Sequence, residues 1–253
     1  METKFWTEDS HRILETVTDM PRYNRWLMSH FAKHFGKNIL EIGSGLGGLS
    51  EFIPKNSDVT LSDVRDDYFA YLKNNFVKIV IKLDVERNIP KSLVNNFDTL
   101  FSSNVFEHIK DDEAAFENSF SLLTQGGKLL LFVPAGPKIY GGLDVDMGHY
   151  RRYTKEGLVS KAERAGFKII DCYYTNFIGY FLWWGRGKFL SQLLDKSHSR
   201  PDRESIQMNQ GPRIDKIFAQ FVNLIIAPLL YLEKIIHPPI GQSLVLIAQK
   251  TSI

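Results

Sequence analysis

The sequence predicts an α/β fold: a mostly parallel sheet with helices on both faces. Three observations carry this. Short apolar runs alternate with helix-length stretches between residues 39 and 173. A glycine-rich turn, Gly43 to Gly48, follows the first run directly. The second and third runs each end on an aspartate, Asp63 and Asp84. The 253 residues, 43% hydrophobic and 24% charged, suit one large domain, or one domain with a big insertion, that buries its core without disulfides.

Residues 7 to 35 carry apolar positions at helical spacing (Ile13, Leu14, Val17, then Trp26, Leu27, Phe31, Phe35). Pro21 divides them into two helices and Gly36 closes the second. Ile39 to Ile42 is the first strand. After the glycine turn a helix is expected as far as Ile53, before Pro54. Val59 to Leu61 is the second strand, Asp66 to Phe76 a helix, Val77 to Leu83 the third strand and Phe97 to Phe101 the fourth. Asp111 and Asp112 place acids at the positive end of a helix running to Leu123. Gln125-Gly126-Gly127 ends it, and Lys128 to Val133 is the fifth strand. A loop from Pro134 to Tyr153 leads to a helix capped by Thr154 and stopped by Gly166. Phe167 to Tyr173 and Ser243 to Gln249 are the sixth and seventh strands. The plan is a helical cap (1–36), a core (37–173 with 241–253) and an apolar helical insertion (174–240).

The turn Glu41-Ile42-Gly43-Ser44-Gly45-Leu46-Gly47-Gly48 lets the backbone approach a ligand closely. Such sites lie beyond the carboxyl ends of parallel strands. Gly43, Gly45 and Gly48 also satisfy the dinucleotide spacing, and Asp63 stands about 20 residues on, so an NAD(P)-dependent oxidoreductase is an alternative. Against it, Glu41 occupies a strand position usually apolar in dinucleotide sites, a second acid, Asp84, ends the third strand, and two helices precede the first strand.

As an ordered set these segments resemble the class I S-adenosylmethionine (SAM) methyltransferases, a bacterial subgroup of methyltransferase type 11 or 12. Ile39 to Gly47 is similar to their first motif, Leu83-Asp84-Val85 with Ile89-Pro90 to the adenine motif, Ser103 to Ile109 to the fourth motif, and Gly126 to Leu131 to the turn and strand that follow. The resemblance implies a Rossmann-like seven-stranded sheet and SAM as cofactor, with S-adenosylhomocysteine as product. It implies a cofactor site of Tyr23, Trp26, Glu41, Gly43, Ser44, Gly45, Gly47, Asp63, Val64, Asp84, Val85, Asn104 and Val105. Asp63 would accept both ribose hydroxyls and Asp84 the adenine amino group. Core packing competes as a reading of Tyr23 and Trp26. A cofactor-binding scaffold without turnover is a third reading.

The loop Gly141 to Thr154 is the second dense signal. Its Gly148-His149-Tyr150-Arg151-Arg152-Tyr153-Thr154 resembles a subgroup often associated with surface-saccharide synthesis. His149 is the candidate base with Asp144 orienting it, Tyr150 and His108 are further catalytic candidates, and Tyr140, Asp144 and Arg152 are candidate substrate ligands. Glu107 beside His108 belongs to a second candidate base. The acceptor is expected to be a saccharide, lipid-linked or small-molecule hydroxyl.

His30 and His34 stand at metal-site spacing, but no third ligand accompanies them, both are expected on a solvated face, and no metal is expected. The net charge of +2 is too mild to argue for nucleic acid. Cys172 is the single cysteine, which suits a reducing compartment, and the start does not read as a secretory signal, so a cytoplasmic protein is expected. The insertion is read first as a lid over the acceptor pocket with a mobile segment near residues 197–212, with a dimer interface or peripheral contact with the inner membrane face as alternatives. Its second apolar stretch, 217–236, falls short of a bilayer span on this reading.

Overall fold

The computed structural model describes residues 11, 14–16, 18–185, 212–236 and 238–251. Seven strands form one sheet: β1 (Asn38–Ile42), β2 (Asp58–Asp63), β3 (Ile79–Lys82), β4 (Phe97–Ser103), β5 (Leu123–Pro134), β6 (Phe167–Thr175) and β7 (Ser243–Lys250). Their spatial order is β3-β2-β1-β4-β5-β7-β6. β1 to β5 pair in parallel, whereas β7 runs antiparallel to both β5 and β6.

The alternation of side chains explains why both faces are covered. Leu40, Ile42 and Leu100 join Phe106, Phe116 and Leu158 on one face. Ile39, Leu61 and Phe101 join Trp26, Phe31 and Leu72 on the other. α1 (Pro21–Ser29) and α2 (Asp66–Asn75) supply that second layer, and α3 (Asp112–Leu122) and α5 (Lys155–Arg164) the first; a short α4 (Gly142–Asp146) lies between α3 and α5 in the chain. Asp111 caps α3 by accepting from the Ala114 N–H, and Thr154 caps α5 by accepting from the Gly157 N–H at 3.0 Å.

Several expected boundaries move. The helix expected after the glycine turn is a single 3₁₀ turn, Ser50–Phe52, because too few residues separate the turn from Pro54 for a longer helix. α1 stops at Ser29 rather than reaching Phe35, and residues 30–34 continue as turns. α3 ends at Leu122, so Gly126 and Gly127 lie within β5 rather than terminating the helix. His30 is buried, its Nδ1 2.9 Å from the Tyr173 hydroxyl, instead of standing on a solvated face.

The insertion departs most from expectation. Residues 177–185 are helical. α6 (Pro212–Phe221), a π turn (Val222–Ile226) and α7 (Ala227–Ile236) then run on as one rod. Ala219, Ile226, Ala227 and Leu230 form its buried stripe, and Ile226 and Leu230 join the core around Trp26 and Leu27. The rod therefore lies on α1 and does not cover the cavity described below, which corrects the lid reading for these helices. Ile217–Lys234 is also long and apolar enough, by length and composition alone, to cross a membrane, with 22% of it buried. The segment expected to be mobile, up to residue 211, lies outside the described residues.

Candidate active site

The parallel strands bring their carboxyl ends to one edge, where a cavity of about 570 Å³ opens. That volume is in the range of small-molecule sites. At one end lies the glycine turn. Gly43 holds φ +71°, and a side chain there would run into Val105. The Ser44 N–H donates to the Ser62 carbonyl at 2.8 Å, and the Gly45 N–H donates to Asp63 Oδ2 at 2.9 Å, tying the turn to the tip of β2. Asp63 Oδ1 accepts from the Arg65 N–H at 3.0 Å. Burial raises the Asp63 pKa against these two donors. Its oxygens retain lone pairs for further donors, as a vicinal diol would supply.

Glu41 lies behind the turn, 3% exposed, and accepts a hydrogen bond from the Ser50 hydroxyl. Burial pushes its carboxyl up to about 7. Asp84 shares the wall, with Oδ1 accepting from the Glu86 N–H at 3.0 Å and Oδ2 paired with Arg87 at 3.0 Å. Asn104 follows β4 with φ +52°, a left-handed conformation that asparagine adopts more readily than other side-chain-bearing residues.

The other end of the cavity is built by the Gly141 to Tyr153 loop against Glu107 and His108. Asp144 is fully buried. Its Oδ1 lies 2.8 Å from His149 Nδ1 and accepts from Arg152 Nε at 2.7 Å. Burial pushes the Asp144 carboxyl up, but the His149 hydrogen bond and the Arg152 charge outweigh it and the net shift is down. A carboxylate only accepts, so His149 Nδ1 donates to Asp144, and Nε2 is the nitrogen left facing Glu107. Nε2 lies 3.9 Å from Glu107 Oε1. Glu107 is wholly buried, and burial lifts its carboxyl to about 7. His108 stacks edge-on against His149 at 4.7 Å, its Nδ1 3.3 Å from the Gly148 carbonyl. Burial, then the His149 charge, lowers its pKa to about 3. Arg152 also lies 4.7 Å beneath the Trp183 ring, the one described residue of 177–236 on the cavity wall.

Two structural facts decide between the cofactor readings. A pyrophosphate needs the N-terminus of a helix behind its glycine turn, and here the turn leads into three residues of 3₁₀ helix. A dinucleotide sheet is parallel in the order 3-2-1-4-5-6, whereas here an antiparallel β7 is wedged between β5 and β6. The oxidoreductase alternative fails on both counts. Residues 40–129 match the family described as a methyltransferase domain. Over these residues the chain is similar to the class I SAM-dependent methyltransferases.

Among similar proteins, malonyl-[acyl-carrier protein] O-methyltransferase 1 of Ilyobacter polytropus is 28% identical over 159 residues, covering 57% of this chain and 58% of that protein. Juvenile hormone acid O-methyltransferase of Bombyx mori is 29% identical over 114 residues, 42% of this chain and 41% of that one. The chain thus spans less than two thirds of the curated relatives it matches. Phosphoethanolamine N-methyltransferase 2 of Haemonchus contortus, solved with SAM, superposes with a TM-score of 0.56 at 18% identity over 92% of this chain and 53% of that one. The [4+2]-cyclase SpnF superposes with a TM-score of 0.58 at 17% identity over 90% and 81%. These likenesses establish the fold.

The cavity wall collects Tyr23, Glu41, Gly43, Ser44, Gly45, Asp63, Val64, Asp84, Val85, Asn104 and Val105 from the expected cofactor set. Trp26 and Gly47 stand outside it. Trp26 is wholly buried among Tyr23, His30 and Phe132, a core residue. Gly47 holds φ +74°, and a Cβ there would strike the Phe76 ring, so its smallness serves packing. On the acceptor side His108, His149, Tyr150 and Arg152 line the cavity. Asp144 lies behind His149 and Arg152, so it positions them and does not reach a substrate. Tyr140 is likewise off the wall, its hydroxyl donating to the His149 carbonyl at 2.7 Å. Sequence reasoning missed Asn24, Arg65, Tyr68 and Gln242, all on the wall, whereas Trp183 belongs to the aromatic run expected beside the acceptor pocket. Arg65 and Gln242 had a signal available, since each neighbours the end of a strand beside the site.

Proposed function

We propose that this methyltransferase moves a methyl group from SAM to a hydroxyl of a lipid-linked acceptor, working at an anionic membrane surface on the cytoplasmic side. One observation carries the reading: a single cavity runs from Asp63 and the glycine turn to His149. SAM supplies a methyl group already activated on a sulfonium, so the protein's work is placement. Asp63 holds the ribose diol, Tyr23 and Asn104 bound the middle of the cavity, and the 149 loop receives the acceptor. Asp144 fixes the His149 tautomer, so Nε2 is the atom that takes the hydroxyl proton. The single cysteine is consistent with the compartment.

The membrane part rests on the rod of α6 and α7. Opposite its buried stripe, Ile217, Phe218, Phe221, Leu224, Ile225, Leu229, Leu232 and Ile236 are all exposed. An apolar face of this length exceeds what soluble surfaces ordinarily leave open. Arg22 and Arg25, both exposed on α1, edge it at a groove shared with Pro228 and Tyr231. Apolar face plus flanking cations is the pattern of a helix lying in an anionic interface.

Calorimetry with SAM and with NAD tests the donor: SAM binding is expected, and NAD binding without SAM binding would end the reading. Flotation with liposomes containing phosphatidylserine tests the surface. The protein is expected to float, and Leu224→Asp with Leu229→Asp to abolish flotation while SAM affinity stays unchanged. A wild-type protein that sediments as a defined dimer and ignores liposomes would assign the face to a second copy.

A further inference from the structure

Glu107 poses a physical demand that the described residues do not meet. Its side chain is 0% exposed, and neither carboxylate oxygen has a hydrogen-bond partner. A buried carboxylate left in this state is costly, and its presence in a native site calls for an ion or an ordered water. The nearest basic atom is His149 Nε2 at 3.9 Å, too far for a hydrogen bond.

The surroundings have the composition of a metal site. Glu107, His108 and His149 each offer one ligand atom, all within 4.8 Å of one another. Around a tetrahedral ion with bonds of 2.0–2.1 Å, such atoms stand about 3.3 Å apart, within reach of modest side-chain rotation. Both imidazoles are already oriented from behind. His149 Nδ1 meets Asp144, and His108 Nδ1 faces the Gly148 carbonyl. Carboxylate or carbonyl acceptors on the far nitrogen are what metal-ligating histidines carry. Arg152 is engaged by Asp144, so it offers Glu107 no hydrogen bond.

We propose that Glu107, His108 and His149 bind one divalent transition cation at the acceptor end of the cavity. Two imidazoles and one carboxylate select a zinc-, cobalt- or manganese-type ion over magnesium, which prefers oxygen ligands. Three protein ligands leave an open position towards the cavity. The role of the ion in catalysis rests on the methyl-transfer reading above. There the acceptor hydroxyl coordinates the open position, its O–H bond breaks and the proton leaves to water. The oxygen then forms its bond to the methyl carbon as the S–CH₃ bond breaks and its electron pair returns to sulfur. The cation thus does by coordination what the bare His149 imidazole does by accepting the proton.

The test uses the full chain stripped with chelator and titrated with Co²⁺. One equivalent is expected to bind, with visible d–d absorption and Zn²⁺ displacing it. Glu107→Gln and His149→Ala are each expected to weaken cobalt binding at least tenfold, with retained SAM binding and circular dichroism reporting the fold; His34→Ala is expected to bind as wild type. Labelled methyl transfer is expected to rise on adding the cation. Cobalt binding with no spectral change in either variant, or no cobalt binding in a protein that binds SAM, overturns the site. Cobalt binding in a protein that fails to bind SAM overturns the methyl-transfer reading and leaves the site standing. A transfer rate that the cation does not raise removes the catalytic role.

Discussion

Glu41 makes stability depend on pH in a direction opposite to the usual salt-bridged carboxylate. Its carboxyl titrates at 4.5 in the reference state and near 7 in the fold, because burial penalises the charged form more than the Ser50 hydroxyl relieves it. Between those two values the folded protein holds a proton that the unfolded chain has released. Stability therefore falls as pH rises across that window, and is lowest above it. At 1.36 kcal/mol per pKa step, the interval is worth about 3 kcal/mol. Glu41→Gln keeps the shape and an oxygen to accept from Ser50 but cannot ionise. Near pH 4.5 the variant and wild type are expected to be close in stability; at pH 8 the variant is expected to be the more stable by about 3 kcal/mol. Urea denaturation without cofactor, followed by tryptophan fluorescence at both pH values, measures this. Glu107 shifts in the same direction and steepens both curves, but it cancels in the difference between the two proteins. A stability difference of the same size at pH 4.5 and pH 8 would refute the argument.

Asp63→Ala removes a carboxylate with lone pairs left for a diol, so SAM affinity is expected to fall about 10- to 100-fold by calorimetry. His149→Ala is expected to lower turnover about 100-fold or more while SAM affinity stays within about twofold; a collapse of SAM binding would make His149 structural. Gly47→Ala places a methyl group into the Phe76 ring at a positive φ, and a loss of about 1–3 kcal/mol in urea unfolding is expected. Trp26→Ala empties a core site and is expected to cost about 3–5 kcal/mol, which distinguishes core from cofactor wall.

The strands and the cofactor end were legible because their signals are local. Ile39 to Ile42, the turn after it and the aspartates closing β2 and following β3 declare themselves within a few residues, and parallel pairing then brings them to one edge. What failed was non-local. An apolar strand carries no sign of its direction, so Ser243 to Gln249 announced β7 but not that it runs antiparallel between β5 and β6. Tyr23 and Trp26 lie one helical turn apart on the same side of α1, and only the arrival of Phe132 from β5 puts Trp26 inside. The rod of α6 and α7 offered two apolar faces. Its sequence could not choose which would meet the protein, because the choice depends on the surface that α1 presents.

The acceptor end marks the same boundary more sharply. Asp144, His149 and Arg152 sit close enough in sequence for their mutual contacts to be anticipated, and Asp144 was rightly paired with His149. Its assignment as a substrate ligand failed because one carboxylate cannot both saturate itself on Arg152 and His149 and face the cavity. Glu107 comes from the other side of the site, about 40 residues earlier, and as a pair with His108 it reads as an ordinary motif. Only the fold reveals that its two oxygens are buried without a donor beside two oriented imidazoles. The chemistry of this end therefore resides in the meeting of two segments. The loop fixes the direction of His149, and the turn after β4 delivers the charge against which that direction acquires a purpose.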